Sequence, residues 1–297
     1  MAKLKAKSAL KFLLKFCLSA VAIYLVFSKI ELQDVWSLIK TSNPLYLTMA
    51  ALLFNVSKWI SSARLLKLFH SAGSKISWKY NLKLYYVGMF YNLFLPGGIG
   101  GDGYKVYLLG KSQDVKRRDL LAAVLLDRIS GAALLVFLAL LISVFTHEII
   151  DLLPENFFFY LMIAGLVLAI PSLVALVKLG FKKFQKTSFH LVHLSFWVQV
   201  VQLICAGFIL LSFGVEENFE LYFVLFLVSS IAAMLPLSFG GVGLRELVFL
   251  YAANELPIDG TSAVALGLIF FLITALSSFV GVFLRLPPNT ALNKNER

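Results

Sequence analysis

Cysteine is scarce in this chain: Cys17 and Cys205 are its two thiols, each set inside a separate apolar run. With no CxxC and no Cys/His spacing between them, a disulfide framework and a structural zinc site are both excluded. Charge is scarce as well. Only 14% of the residues are charged, while 60%, about 178 of 297, belong to the AVILMFWYC set, against roughly 45–50% in an ordinary globular domain. A soluble domain is therefore excluded. At roughly 20 apolar residues per crossing, this composition sets a ceiling of about nine membrane-spanning helices.

Acidic residues are the scarcer charge, 16 Asp and Glu against 27 Lys and Arg, a net of +11. In a soluble chain that excess would point to nucleic acid. Here the positions matter more than the sum, because basic residues beside spans fix orientation and attract anionic lipid. The expected partners are membrane lipids, with a second copy of the chain or a lipid-synthesis enzyme as further candidates, and no nucleic acid.

A first apolar run ends at Phe27 and contains Lys11 and Lys15; no small-residue cleavage site follows it. A retained helix is expected there, not a signal peptide. Further full-length apolar runs cover 45–61, 120–145, 157–177, 191–213 and 261–284, for six spans in all. Two other apolar stretches, 84–95 and 221–235, run into proline and a glycine cluster instead of a polar loop.

Sidedness decides what these two stretches are. One set of connecting segments holds Glu31, Asp34, Glu148, Asp151, Glu155, Glu216, Glu217, Glu220, Glu255 and Asp259, with Lys29 and Lys40 as its only Lys or Arg. The opposite set holds the N-terminal lysines and the basic residues of 64–83, 111–118, 178–186 and 285–297. By the positive-inside rule both termini are cytoplasmic. The segment between Lys83 and Lys111 then leaves from and returns to one side, and the segment between Glu220 and Glu255 does the same from the other.

The expected fold is an all-α polytopic membrane protein: six transmembrane helices plus two oppositely oriented re-entrant hairpins in an inverted repeat. Residues 1–150 form the first repeat, with two spans, a cytoplasmic-side hairpin at 84–110 and a span. Residues 151–286 form the second, with its outer-side hairpin at 221–254, and 287–297 is a disordered tail. A direct sequence match supports the repeat. Leu95-Pro96-x-x-x-Gly100-Gly101-x-Gly103-x-Lys105 recurs without a gap, 140 residues later, as Leu235-Pro236-x-x-x-Gly240-Gly241-x-Gly243-x-Arg245. Inverted repeats with broken helices meeting near the midplane are a transporter architecture.

Non-helical backbone at membrane depth is tolerated only when it is buried in protein or lines a wet cavity. Pro96 and Pro236 are expected to end the descending helices, the glycines to turn with positive φ, and new helices to start near Gly103 and Gly243. Their N-terminal amides would form anion sites, with Lys105 and Arg245 in the first turn. Two such cations near the bilayer centre represent about 5–7 kcal/mol on insertion scales. A phosphate would compensate them. The ordinary alternative is that Asp102 and Glu246 pair with them as structural salt bridges, and these carboxylates are the expected counter-charges in the empty state. Asp127 and Arg128 in the third long span are further candidates for counter-charge or gating, and Asn92, Lys58 and Asn55 for lining the cavity.

Other motifs carry less. Gly98-x-Gly100-x-x-Gly103 has the dinucleotide spacing, but no strand precedes it. Gly110-Lys111-Ser112 ends like a P-loop whose first glycine would fall at Lys105. His190-x-x-His193 has no carboxylate nearby to complete a metal set. No metal and no cofactor are expected.

Taken together, Asn92-x-x-x-Pro96, Gly100-Gly101-Asp102-x-x-Lys105, Asp127-Arg128 and Pro236-x-x-x-Gly240-Gly241-x-Gly243-x-Arg245-Glu246 resemble the lysylphosphatidylglycerol synthase transmembrane family across most of residues 8–286. This family is the flippase-like membrane domain of aminoacyl-phospholipid synthases, with stand-alone members. Lys105 stands where the family often has Arg, which keeps the charge but loses the bidentate fork. The chain ends shortly after its last span, where the full-length synthases carry a soluble aminoacyl-transferring domain. The resemblance thus implies a flippase or scramblase of a phosphate-headed lipid: a phospholipid, an aminoacyl-phospholipid or a polyprenyl-phosphate lipid. Alternatives are an integral-membrane lipid-modifying transferase and a small-solute or ion transporter. No complete catalytic set is present.

Overall fold

The computed structural model describes residues 32–94, 99–234, 244–284 and 286. The expected first span, Pro96, Pro236, Gly240, Gly241, Gly243 and the tail from 287 lie outside these residues. All regular structure among the described residues is helical.

A short helix α1 (Leu32–Thr41) precedes α2 (Pro44–Ala72). Asn43 starts α2 by accepting a hydrogen bond from the Leu45 amide at 3.0 Å, with Pro44 supplying a preset φ at the first position. Gly73 ends it at φ 101°, a left-handed conformation that glycine adopts without a Cβ penalty. Then come α3 (Trp78–Phe94), α4 (Gly100–Ser112), α5 (Arg117–Val144), the single turn α6 (His147–Asp151) and α7 (Asn156–Ala175). A π turn and a 3₁₀ turn lead into α8 (Ser188–Ser212), followed by α9 (Phe219–Met234), α10 (Leu244–Ala253) and α11 (Gly260–Phe283).

Among the described residues, four helices are long and apolar enough to cross a membrane: Arg117–Val144, Asn156–Gly180, Lys182–Ser212 and Gly260–Phe283. They match four of the expected spans. The expected span at 45–61 is only the first part of α2. That helix has 29 residues, about 43 Å at 1.5 Å per residue, and its second half carries Arg64 and Lys67. Leu173 is the one buried residue of α7, and Phe157, Tyr160, Val167 and Leu168 are exposed. Apolar surface this continuous belongs in hydrocarbon.

Among the described helices, α2 and α8 share the most extensive packing, and they run antiparallel. The Asn43 amide donates to the Ser212 carbonyl, Cys205 Sγ to the Ala50 carbonyl, Gln202 to Ser57, and Arg64 to Ser195, so numbers rise on one helix as they fall on the other. One apolar core gathers Phe54, Phe226, Phe249 and Phe270 around the α2 start and the α8 end. Phe270 meets Phe226 and Phe54 edge-on, at 4.8 and 5.5 Å between ring centroids. A second core gathers Leu65, Leu68, Phe69, Leu109, Leu120 and Leu191 around the opposite ends. Between the two cores lies a polar layer.

Two helix pairs flank this centre. Helix α3 packs on α4 and against α11, while α9 packs on α10 and against α5. Close approach at both α3 crossings depends on glycine. A Cβ on Gly101 would overlap the Gly88 carbonyl, and one on Gly281 would overlap the Tyr86 carbonyl.

Candidate functional site

The polar layer lines a cavity of about 340 Å³. Helix α2 contributes Lys58, Ser61 and Arg64; α3 and α4 contribute Tyr85, Asn92, Asp102 and Lys105; α5 contributes Asp127 and Arg128. Gln199 and Gln202 come from α8, Ser230 from α9, Arg245 from α10 and Thr274 from α11. Both halves of the repeated motif therefore reach one space. Among the described residues, five cations line it against two carboxylates.

Asp102 organises the α4 side. Its side chain, 9% exposed, accepts from Lys105 Nζ at 3.0 Å and from Arg128 Nε at 2.5 Å. Lys105 also lies 4.7 Å from the Tyr85 ring centroid, a cation–π contact. Its methylene stem crosses Gly88, where a Cβ would strike Cε. Asp127 turns the other way, as adjacent residues on a helix must, and accepts from Arg64 Nε at 2.8 Å. Arg64 donates a second hydrogen bond to Ser195 Oγ at 2.7 Å, so one guanidinium ties α2 to α5 and α8. Burial of these ions is sustainable because each carboxylate meets a cation directly.

The α10 side is built differently. Arg245 reaches Ser230 Oγ at 3.4 Å and lies 4.9 Å from the Phe270 ring and 5.8 Å from Phe226. Lys58 sits 4.4 Å from the Phe54 ring centroid. Among the described residues neither cation is in a salt bridge. The repeat explains the difference, since the position 140 residues after Asp102 is Val242.

Several expectations are corrected. Helix α4 begins at Gly100, not near Gly103, so Asp102 occupies the first turn and Lys105 the second. Gly100, Gly101 and Gly103 are helical; among the described glycines only Gly73 and Gly214 have positive φ. Gly101 is there for close approach, and a Cβ on Gly103 would meet nothing within 4 Å. The α4 amides are not an anion cradle. The Gly101 amide donates to Asn92 Oδ1 at 2.8 Å, and those of Asp102 and Gly103 donate to the Ile99 carbonyl.

Glu246, the expected counter-charge of Arg245, is buried beside Gly267 of α11; it does not line the cavity, but its charge acts on Arg245. Asn55 is likewise outside it, donating to Ser277 Oγ at 3.1 Å and accepting from Tyr86 Oη at 2.8 Å. His190 and His193 are exposed among Phe189 and Trp197, away from the cavity. Arg64, which the basic flanking pattern assigns to a loop, is instead inside α2 and buried. Sequence reasoning also passes over Ser195, Gln199 and Gln202. The signal available for them is polar residues recurring three and four apart within an otherwise apolar run.

A search of curated proteins finds no match to the chain. A family profile described as the lysylphosphatidylglycerol synthase TM region matches residues 12–281, and the chain belongs to that family. It is a membrane protein of a lipid-related family.

Proposed function

We propose that this member of the family moves a lipid with a phosphate head group between the leaflets of a bacterial or archaeal cytoplasmic membrane. One observation carries the reading: a cavity whose described lining residues include five cations and two carboxylates, with cations from both copies of the repeated motif. Buried charge without compensation costs several kcal/mol. A head-group phosphate compensates it, and the acyl chains stay in lipid along the exposed apolar helices.

In this reading the chain has six spans and two re-entrant hairpins, α3/α4 and α9/α10, with both termini cytoplasmic. The two halves, 1–150 and 151–286, are inverted copies. The reciprocal packing of α3 on α11 and α9 on α5 supports that arrangement, with antiparallel α2 and α8 at its centre. Rocking of one half against the other exposes the cavity to each leaflet in turn. Lys105 and Arg245 bind the phosphate. Asp102 holds Lys105 and Arg128 until the phosphate displaces it, while Asp127 keeps Arg64 in place throughout.

The test is exchange of fluorescent phospholipids in liposomes containing the purified protein, read by quenching the outer leaflet only. Exchange above protein-free liposomes is expected, and its loss in a folded Lys105→Ala/Arg245→Ala variant. Exchange that the variant retains would place the site elsewhere. No exchange across anionic, zwitterionic and polyprenyl-phosphate lipids would overturn the function.

A further inference from the structure

Arg128 lines the cavity but also faces outward. Its side chain is 30% exposed, where those of Asp102 and Lys105 in the same ion-pair cluster are 9% and 5%. It lies about 16 Å along α5 from Arg117, at 1.5 Å per residue. That is past a polar layer of about 5–8 Å on one side of the bilayer and into hydrocarbon, where an outward guanidinium is costly.

Two contacts fix how α4 lies against α5. Asp102 accepts from Arg128 at 2.5 Å, and the Arg117 stem lies over Gly110, where a Cβ would come within 2.8 Å of Cγ. Numbers fall on one helix as they rise on the other, so the seam is antiparallel and runs from Arg117 inward to Arg128. Arg117, Leu121, Leu125 and Arg128 recur at spacings of four, four and three, which places them on one face of α5 along this seam. Gly103, Tyr107 and Gly110 share a face of α4 in the same way. Leu121, Leu125 and Tyr107 are exposed, and a Cβ on Gly103 would meet nothing within 4 Å. The seam is therefore a shallow apolar strip with an arginine at each end, the inner one in the cavity wall.

We propose that this seam is the lateral gate by which a phospholipid from the leaflet on the Arg117 side enters the cavity, with the Asp102–Arg128 ion pair as its latch. The inference deepens the lipid-moving reading and rests on it. Charge complementarity selects the occupant, because cations at the ends of an exposed apolar strip match a molecule with an anionic phosphate and hydrocarbon chains. The chains lie against Leu121 and Leu125, while the phosphate passes from Arg117 to Arg128 and on to Lys105. Both inner cations already share Asp102, so a phosphate reaching Arg128 replaces one oxyanion partner by another and leaves no cation bare. Helix packing alone does not call for this pair. Helices α10 and α11 pack as the repeat-related counterparts of α4 and α5, and the residues 140 positions after Asp102 and Arg128 are Val242 and Leu268.

Gly103→Trp tests the gate, because it fills the open space at the seam and leaves every proposed phosphate ligand in place. Leaflet exchange of fluorescent phospholipid by the full chain in liposomes is expected to fall towards the protein-free rate in this variant. It is expected to stay near wild type in Gly103→Ala and in Leu161→Trp on the exposed surface of α7. Arg128→Gln is expected to slow exchange about tenfold, the worth of a charged hydrogen bond, and Arg128→Lys to restore most of it. Photolabelling of the wild type checks the route without a variant. In mixed micelles, phosphatidylglycerol with a diazirine on an acyl carbon close to the glycerol is expected to label residues 103–128. Excess unlabelled phosphatidylglycerol should reduce that labelling and not the labelling of α7.

Exchange retained by folded Gly103→Trp, or saturable labelling absent from residues 103–128, would overturn the gate and leave lipid movement standing. If Gly103→Trp does not fold, the labelling alone decides. No exchange by the wild type, together with no saturable labelling anywhere, would overturn the gate and the lipid reading together.

Discussion

Gly101 and Gly103 belong to the same repeated motif and the same first turn of α4, yet their substitution by alanine should have opposite results. Both are helical, so each replacement recovers roughly 0.5–1 kcal/mol of backbone entropy and helix propensity. For Gly103 nothing opposes the gain, since a Cβ there meets no atom within 4 Å. For Gly101 the new carbon overlaps the carbonyl of Gly88, and relief requires α3 and α4 to separate. Separation also stretches the 2.8 Å hydrogen bond from the Gly101 amide to Asn92, worth about 1 kcal/mol, and loosens Lys105 where it crosses Gly88. Overpacking of this kind costs typically 1–3 kcal/mol. The expected difference between the variants is therefore about 2–4 kcal/mol. Reversible unfolding in mixed micelles measures it, with leaflet exchange in parallel. Equal stability of Gly101→Ala and Gly103→Ala would refute the view that the motif glycines serve helix contact.

Further outcomes follow from the same geometry. Arg64→Met should cost about 3–5 kcal/mol because it strands Asp127 in a buried site. The Arg64→Met/Asp127→Leu double variant should recover most of this, as a double-mutant cycle of unfolding free energies would show. Lys58→Met should stabilise the fold by about 1–2 kcal/mol, a fraction of the insertion cost of a cation, while slowing anionic lipid exchange; melting temperature and exchange rate, measured together, check it. Gly88→Ala should displace the Lys105 stem and slow exchange while changing stability less than Gly101→Ala.

Much of the fold was legible because hydrocarbon imposes a simple grammar. Runs of apolar residues at 120–145, 157–177, 191–213 and 261–284 correspond to α5, α7, α8 and α11, whose outward faces have nothing polar to hide. The end of α2 was not legible, because hydropathy falls where Ser61, Arg64 and Lys67 begin although helix propensity does not. Charge pattern assigns Arg64 to the flank; only the approach of Asp127 and Ser195 makes it a buried clamp.

At the site, the repeated motif was enough to single out Lys105 and Arg245, and Asp102 stood out beside Lys105, since charges at membrane depth stand out against their surroundings. The neutral polar residues of α8 do not. Gln199 and Gln202 scarcely disturb an apolar run, and their facing the cavity is decided by how α8 lies against α2. The glycines illustrate a different limit. A sequence cannot distinguish a glycine needed for positive φ from one needed for helix contact, and Gly101 is the latter. Asn55 joins α2 to α3 and α11 instead of facing the cavity, a rotation about the helix that sequence alone does not fix.

The central claim is that positive charge inside the cavity carries the lipid phosphate. Lys58 and Arg245 are the cations to remove, because neither is in a salt bridge among the described residues. The direct measurement is anionic lipid exchange by Lys58→Gln/Arg245→Gln beside Lys75→Gln/Lys79→Gln, which removes the same charge from exposed positions. A charged hydrogen bond is worth about 1.5–3 kcal/mol, roughly tenfold or more per cation. Arg245 is the phosphate ligand of the pair, so the account expects at least about a tenfold loss for the cavity pair and little change for the exposed pair. Equal losses in the two variants, or none in the cavity pair, would contradict it.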